Sequence, residues 1–215
     1  MKNKKVAVYE EIKKQIIDGR LTPGLPINEN EFAKNQNVSK TPVREALRQL
    51  EREGLVVNIP GRGSAVAHIT FQDIRETFEL REIIECGAVK RAALVCNTEE
   101  VRIKKKELER LSAQDAEMNW PVWGPEEDIH LFIITCIGNQ KLIETYLGLL
   151  DHIKRIRIHY GGKFTQQRYY TFLAEHIAIL DAMIEGDPER AETEVQNHLR
   201  NAAAYLLGLT SPKKG

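Results

Sequence analysis

Three histidines and a glutamate form the most chemically specific pattern in this chain. His130, His176 and His198 can each offer an imidazole lone pair, and Glu126, four residues before His130, shares its helical face and adds a carboxylate. Three imidazoles and one carboxylate suit a divalent metal ion, with zinc or nickel expected and manganese and iron compatible with the same donors. Asp128 stands only two residues from His130 and would point away on a regular helix, which leaves Glu126 as the expected oxygen donor.

A second chemistry is carried by VSKTPVREALRQLEREGL, residues 38–55, where Arg44, Arg48 and Arg52 follow Lys40 at intervals of four. Arg44 and Arg48 fall one turn apart on one helical face, near the start of the helix. A guanidinium fork can donate two parallel hydrogen bonds to guanine O6 and N7, so these two suit base edges in a major groove. Ser39, Lys40, Thr41 and the free amides at the helix start suit phosphates. A little further on, Gly61 and Gly63 remove side chains where a turn must approach a sugar-phosphate backbone, and Arg62 between them can reach a phosphate or the minor groove. A basic helix alone is more often a solvated face with internal ion pairs; the turn, helix and glycine tip in this order favour DNA.

The elements that must position these groups are legible in the periodicity. Val6, Tyr9, Ile12, Ile16 and Ile17 predict an amphipathic helix over residues 6–17, ended by Gly19 and the turn at Pro23-Gly24. A second helix is predicted over about 28–36, and a third begins after the Asn37-Val38 turn, capped by Ser39 or Thr41 with Pro42 in its first turn. Val43, Ala46, Leu47, Leu50 and Leu55 are the side it buries. Residues 55–59 and 64–67 are β-branched or apolar runs around PGRG and read as a hairpin. Three helices and a hairpin make a winged helix-turn-helix, here assigned to residues 1–68.

From Thr70 onward the pattern is helical throughout, with breaks near residues 97–98, 119–125, 138–139, 161–162 and 186–188. The expectation is a mainly α chain whose second domain, residues 69–215, is an all-α bundle of about six helices that bury their apolar faces on one another. In EHIAILDAMIEGDPERAETEVQNHLRNA, residues 175–202, Gly186 stops one helix and Asp187-Pro188 starts the next. His176 near the start of one arm and His198 near the end of the other then lie at the same level.

The charge distribution agrees with this division. Residues 1–68 hold 12 Lys and Arg against 8 Asp and Glu, a local +4 that the remainder offsets in a chain of formal charge zero, which suggests an anionic partner for the basic end. No run of about 18 apolar residues and no charged-then-apolar leader is found, so neither a membrane span nor a signal peptide is expected, and the expected location is the cytoplasm. Cys86, Cys96 and Cys136 are odd in number and far apart within helical patterns, so buried thiols are expected rather than disulfides or zinc ligands.

Residues 27–66, with VSKTPVREALRQLEREGLV followed by PGRGSAV, closely resemble the DNA-binding domain of GntR-family bacterial transcription regulators. That resemblance implies a dimer on a pseudo-palindromic operator, with the 39–48 segment and the 61–63 tip as contacts. Lys40 replaces the arginine usual in the family, which removes the bidentate fork at that position. Residues 71–207 resemble the FCD ligand-binding domain of the FadR subfamily through ELREIIECGAVKRAA, the His130 segment with GNQKLI, and the EH, GDPERAE and HL hairpin. In metal-binding members the ligands are an Asp, a His four residues later and two further His, which implies Glu126, His130, His176 and His198 here, with Glu in place of the Asp. The resemblance also directs Arg81 at the ligand cavity, against an internal ion pair with Glu85 one turn on.

The function expected is therefore a ligand-responsive transcription regulator, a repressor by family habit, that binds DNA as a homodimer and senses a small carboxylate at a metal. Two alternatives stand beside it: a metal-independent sensor of a larger ligand such as an acyl thioester, and a metal-dependent enzyme fused to a DNA-binding domain. HExxH, GxSxG and P-loop signatures are missing, so no catalytic residue is assigned.

Overall fold

A computed structural model describes residues 4–112, 128–160 and 165–208, and the chain divides after Thr70 into two compact units. In the first, α1 (Lys4–Ile17) buries Val8, Tyr9, Ile12 and Ile16 against α3 (Lys40–Arg52), whose buried side is Val43, Ala46, Leu47 and Leu50. Each fully buried aliphatic side chain of this set stabilises the unit by about 1.5–3 kcal/mol relative to exposure. Between them lies α2 (Glu29–Asn35), whose first amides are satisfied by the Asn28 side chain accepting from the backbone of Asn30 and Glu31. Asn37 makes the turn into α3 at φ 51°, a left-handed conformation that asparagine tolerates. Ser39 occupies the cap position of α3, but its side chain makes no capping hydrogen bond.

The hairpin pairs β1 (Val56–Ile59) with β2 (Gly63–Val66) antiparallel, from Val56 opposite Val66 to Ile59 opposite Gly63. Its inner residues Val56 and Val66 close the core formed by the three helices. The tip turns through Gly61 at φ 74°, and the Arg62 amide donates to the Ile59 carbonyl across it.

The second unit contains six helices among the described residues: α4 (Phe71–Val95), α5 (Thr98–Ser112), α6 (Asp128–Cys136), α7 (Gln140–Tyr160), α8 (Gln166–Glu185) and α9 (Pro188–Leu206). The breaks fall where glycine, asparagine and proline predict them, apart from the expected breaks at 119–125 and 161–162, which lie outside the described residues. Gly186 ends α8 at φ 67° and Asp187 caps α9 by accepting from the Arg190 amide, with Pro188 as its first residue. This local chemistry fixes α8 and α9 as an antiparallel pair. Helix α4 packs chiefly on α9, and α5 on α8, around a core that includes Val89, Ile129, Ile133, Tyr146, Leu173, Leu180 and Leu199.

The cysteines depart from the expectation of buried thiols. Cys96 and Cys136 are joined by a disulfide and only Cys86 is a buried free thiol. The two partners are 40 residues apart in sequence, and no local pattern announces that the ends of α4 and α6 meet.

Candidate metal centre and nucleic-acid interface

The three predicted histidines meet at the centre of the second unit. His130 on α6, His176 on α8 and His198 on α9 are 2 %, 0 % and 0 % exposed, and one nitrogen from each lies within 4.8 Å of the others. Helix α4 packs against the three helices that carry them. Its buried stripe runs Ile74, Phe78, Arg81, Glu85, Ala88, Val89 and Ala92, so Arg81 and Glu85 occupy positions that helical periodicity places inside.

Two of the imidazoles are hydrogen-bonded at Nδ1: His176 Nδ1 lies 2.8 Å from the Phe172 carbonyl oxygen and His198 Nδ1 lies 2.9 Å from Glu175 Oε2. His130 Nδ1 lies 2.6 Å from Glu85 Oε2, an ion-pair contact whose direction falls outside hydrogen-bond geometry. Neither acceptor can donate while the Glu175 carboxylate is ionised, so Nδ1 carries the hydrogen in His176 and His198 and their Nε2 atoms present lone pairs; at His130 the charge of the adjacent Glu85 carboxylate favours the same tautomer. His130 Nε2 and His176 Nε2 face each other at 3.1 Å, and His198 Nε2 is buried with no hydrogen-bond partner. Two opposed lone pairs at that distance repel unless a proton or a cation lies between them. The donor set thus fits a divalent metal held by the three Nε2 atoms, with the carboxylate and carbonyl partners fixing tautomer and orientation.

Electrostatics favour neutral rings at His176 and His198. Burial, followed by repulsion from neighbouring imidazoles and from Arg157, holds His176 well below the usual imidazole range. Burial, then His130, Arg81 and Arg157, does the same to His198. Burial alone would raise Glu85, but the charges of Arg81 and His130 outweigh it and keep the carboxyl below its usual range. Burial dominates at Glu175, which is raised despite Arg168 and Asn201.

Arg81 donates from Nε to Glu85 Oε1 at 2.7 Å, so the internal ion pair anticipated from its spacing is formed, and Tyr146 donates to the same oxygen at 2.9 Å. Its two terminal nitrogens, Nη1 and Nη2, are buried and have no hydrogen-bond partner among the described residues. A fork held at one nitrogen and unfilled at the other two is suited to an anion. Glu126 lies outside the described residues, so the set brought together here is His130, His176, His198 and Arg81. Glu85 as the partner of His130, Glu175 as the partner of His198, and Tyr146 were not identified as site residues from sequence. Glu85 carried a usable signal, since a carboxylate at a core position of a helix must find partners. Glu175, next to His176, carried none that distinguished it from a surface acid.

In the first unit, Ser39, Lys40, Thr41, Arg44 and Arg48 on the start of α3, and Gly61, Arg62 and Gly63 at the hairpin tip, are all exposed. Arg44 is not a free cation, because its Nε donates to Glu29 Oε2 at 2.8 Å. A groove beside the helix start is lined by Ser39 and Thr41 together with Lys4 and Lys5 of α1, two cations that sequence reasoning did not include. The arrangement offers a short basic face, an open helix N-terminus and a glycine tip, which are the parts a winged helix sets against a duplex.

Comparison with known proteins agrees with both halves. Residues 4–66 match the gntR family of bacterial regulatory proteins and residues 76–201 match the FCD domain. An uncharacterised HTH-type transcriptional regulator from an unstable DNA locus of Streptomyces ambofaciens is 30 % identical over 90 % of this chain and 80 % of its own length. The HTH-type transcriptional repressor NanR of Klebsiella aerogenes is 28 % identical over 96 % of this chain and 86 % of its own. The solved structure of a Zn2+-bound FCD domain from a transcriptional regulator superposes with a TM-score of 0.55 at 26 % identity, covering 66 % of this chain and 96 % of that one. Among the described residues no helix is long and apolar enough to cross a membrane. With a winged helix at one end and a three-histidine helical bundle at the other, this chain belongs to the GntR family of bacterial transcription regulators, in the group that carries an FCD domain.

Proposed function

We propose that this regulator is a repressor whose FCD domain holds a divalent metal and, through it, a small carboxylate effector. The observation that carries the reading is the convergence of three buried imidazoles with one nitrogen of each within 4.8 Å of the others, two of them fixed by a hydrogen bond at Nδ1. His130, His176 and His198 would hold the ion, zinc or nickel, with Glu126 as the fourth ligand. The metal would supply open positions for a carboxylate, and the unfilled nitrogens of Arg81 support the same class of ligand. Repression is supported by the name of the NanR relative.

On this reading residues 1–68 form the operator-binding domain and residues 69–215 the effector and dimerisation domain, working in the cytoplasm. Ser39, Lys40, Thr41 and the Gly61-Arg62-Gly63 tip take phosphates, while Arg44 and Arg48 read bases of a pseudo-palindromic duplex. A homodimer is supported by apolar residues left on the outside of α4, where Ile83 and Leu94 are each 69 % exposed. An effector that prefers one spacing of the two DNA heads by about 1.4 kcal/mol shifts operator affinity tenfold.

The test is elemental analysis of the purified chain with native mass spectrometry. About one zinc or nickel per chain is expected, lost in His176→Ala, with operator binding by the metal-free protein retained. Full metal retention by His176→Ala refutes the site.

A further inference from the structure

Cys96 and Cys136 lie outside both sites. Cys96 directly follows α4, Cys136 ends α6, and their Cα atoms are 5.4 Å apart. That separation is inside the range of about 4.4–6.8 Å that a disulfide spans, so the bond closes without backbone movement. Both residues sit half-buried at the margin of the core, within reach of small solutes. Cys86 differs on each count: it is buried, burial pushes its thiol up to about 11, and a thiol that is neutral at physiological pH is a poor nucleophile.

The helices joined in this way are the two that hold one edge of the histidine cluster. Helix α4 carries Glu85 and α6 carries His130, in contact at 2.6 Å. Cys96 lies eleven residues beyond Glu85 and Cys136 six beyond His130, roughly 16 and 9 Å along their helices at the standard rise. In compartments where thiols are kept reduced, a bond of this kind is characteristically transient and redox-sensing.

We infer that Cys96 and Cys136 are a reversible redox site of the sensor domain, oxidised by hydroperoxides, that controls how firmly α6 presents His130 to the cluster. One thiolate attacks a peroxide oxygen; the O–O bond breaks, a sulfenic acid forms, and the alcohol, or water from hydrogen peroxide, leaves with a proton. The second thiolate attacks that sulfur, the S–S bond forms, the S–O bond breaks, and the departing hydroxide takes up the proton released by the second thiol to leave as water. Two thiols have then lost two electrons and one peroxide has gained them. A small dithiol reverses the step by exchange, returning both protons as it closes into its own disulfide. With the bond closed, α6 is tied to α4 beyond the Glu85–His130 contact; with it open, α6 can move away more freely. The effect on metal retention rests on the metal reading above, whereas the redox site does not.

The experiment uses the full chain, reduced, freed of reductant, zinc-loaded and exposed to equimolar hydrogen peroxide. Thiols are mapped by alkylation and peptide mass spectrometry, and zinc release to a chromophoric chelator is timed in both states. Expected are an intrachain 96–136 link, an unmodified Cys86, recovery by dithiothreitol, and zinc release several-fold slower when oxidised, a difference lost in Cys96→Ser. A link through Cys86, a link between chains, or sulfinic acid without a disulfide overturns the redox site. A 96–136 link with unchanged zinc release overturns the control of His130. Failure of either state to take up zinc overturns the metal reading, and the thiol map still decides the redox site.

Discussion

Replacing Glu85 by glutamine separates an ion-pair role for this residue from a metal-orienting one. The Glu85 carboxylate accepts from Arg81 Nε at 2.7 Å and Tyr146 at 2.9 Å through Oε1, and faces His130 Nδ1 at 2.6 Å through Oε2. In Glu85→Gln the amide oxygen can keep the Arg81 and Tyr146 bonds, which leaves the NH2 group toward His130. A donor there forces the other tautomer: Nδ1 becomes the acceptor, and the hydrogen moves to Nε2, 3.1 Å from His176 Nε2. The His130 lone pair leaves the cluster and its place is taken by a hydrogen bond to His176. Changes of this kind in the partner of a metal-bound histidine weaken metal binding about 10–100-fold, or about 1.4–2.8 kcal/mol. The same substitution leaves the Arg81 charge buried without its counterion, at a cost of about 3 kcal/mol, or roughly 6–12 °C in melting temperature for a domain of this size. Zinc affinity is measured by competition with a chelator and melting on the metal-free protein. A variant that melts lower but binds zinc as tightly as the parent refutes the tautomer argument and leaves Glu85 an ion-pair partner only.

Other outcomes follow from the same geometry. Arg44→Ala is expected to weaken operator binding by about 1–3 kcal/mol and to relax base preference in a binding assay over operator variants, whereas unchanged selectivity removes Arg44 from base reading. Gly61 has φ 74° and open space where a Cβ would stand, so Gly61→Ala costs only the backbone term, about 1–2 kcal/mol by chemical denaturation; no loss contradicts the left-handed turn. In the metal-free chain, His176 and His198 stay neutral when folded while unfolded imidazoles protonate near pH 6.5. Stability is therefore full above that pH and falls below it by about 1.4 kcal/mol per pH unit for each ring, until its lowered folded value is reached. Urea midpoints that do not change between pH 7.5 and 5.5 would contradict the buried neutral rings.

The secondary structure was legible because its signals are local. Asn28, Gly186, Asp187 and Pro188 act on the backbone within a turn of themselves, and the apolar spacing of α1 and α3 says which face is buried whatever covers it. The same logic brought His176 and His198 to one level, since a hairpin of two helices relates positions equally far from its turn. Their ring centroids lie 4.3 Å apart.

Apart from His130, whose place beside the two hairpin histidines the family resemblance implied, partners far apart in sequence were not legible. The Cys96–Cys136 bond depends on α6 returning to the end of α4, and periodicity carries no record of which helix ends meet. The Arg44–Glu29 pair, 15 residues apart, spans two helices whose crossing the sequence leaves open. The helices, the hairpin, the basic face and the candidate ligand residue types were thus determined by sequence alone, because each follows from residue chemistry and a fixed helical or strand repeat. The protons on His176 and His198 were decided only in three dimensions, where the Phe172 carbonyl and Glu175 each hold one Nδ1 and leave the other nitrogen facing the cluster, while Glu85 sets its charge against His130.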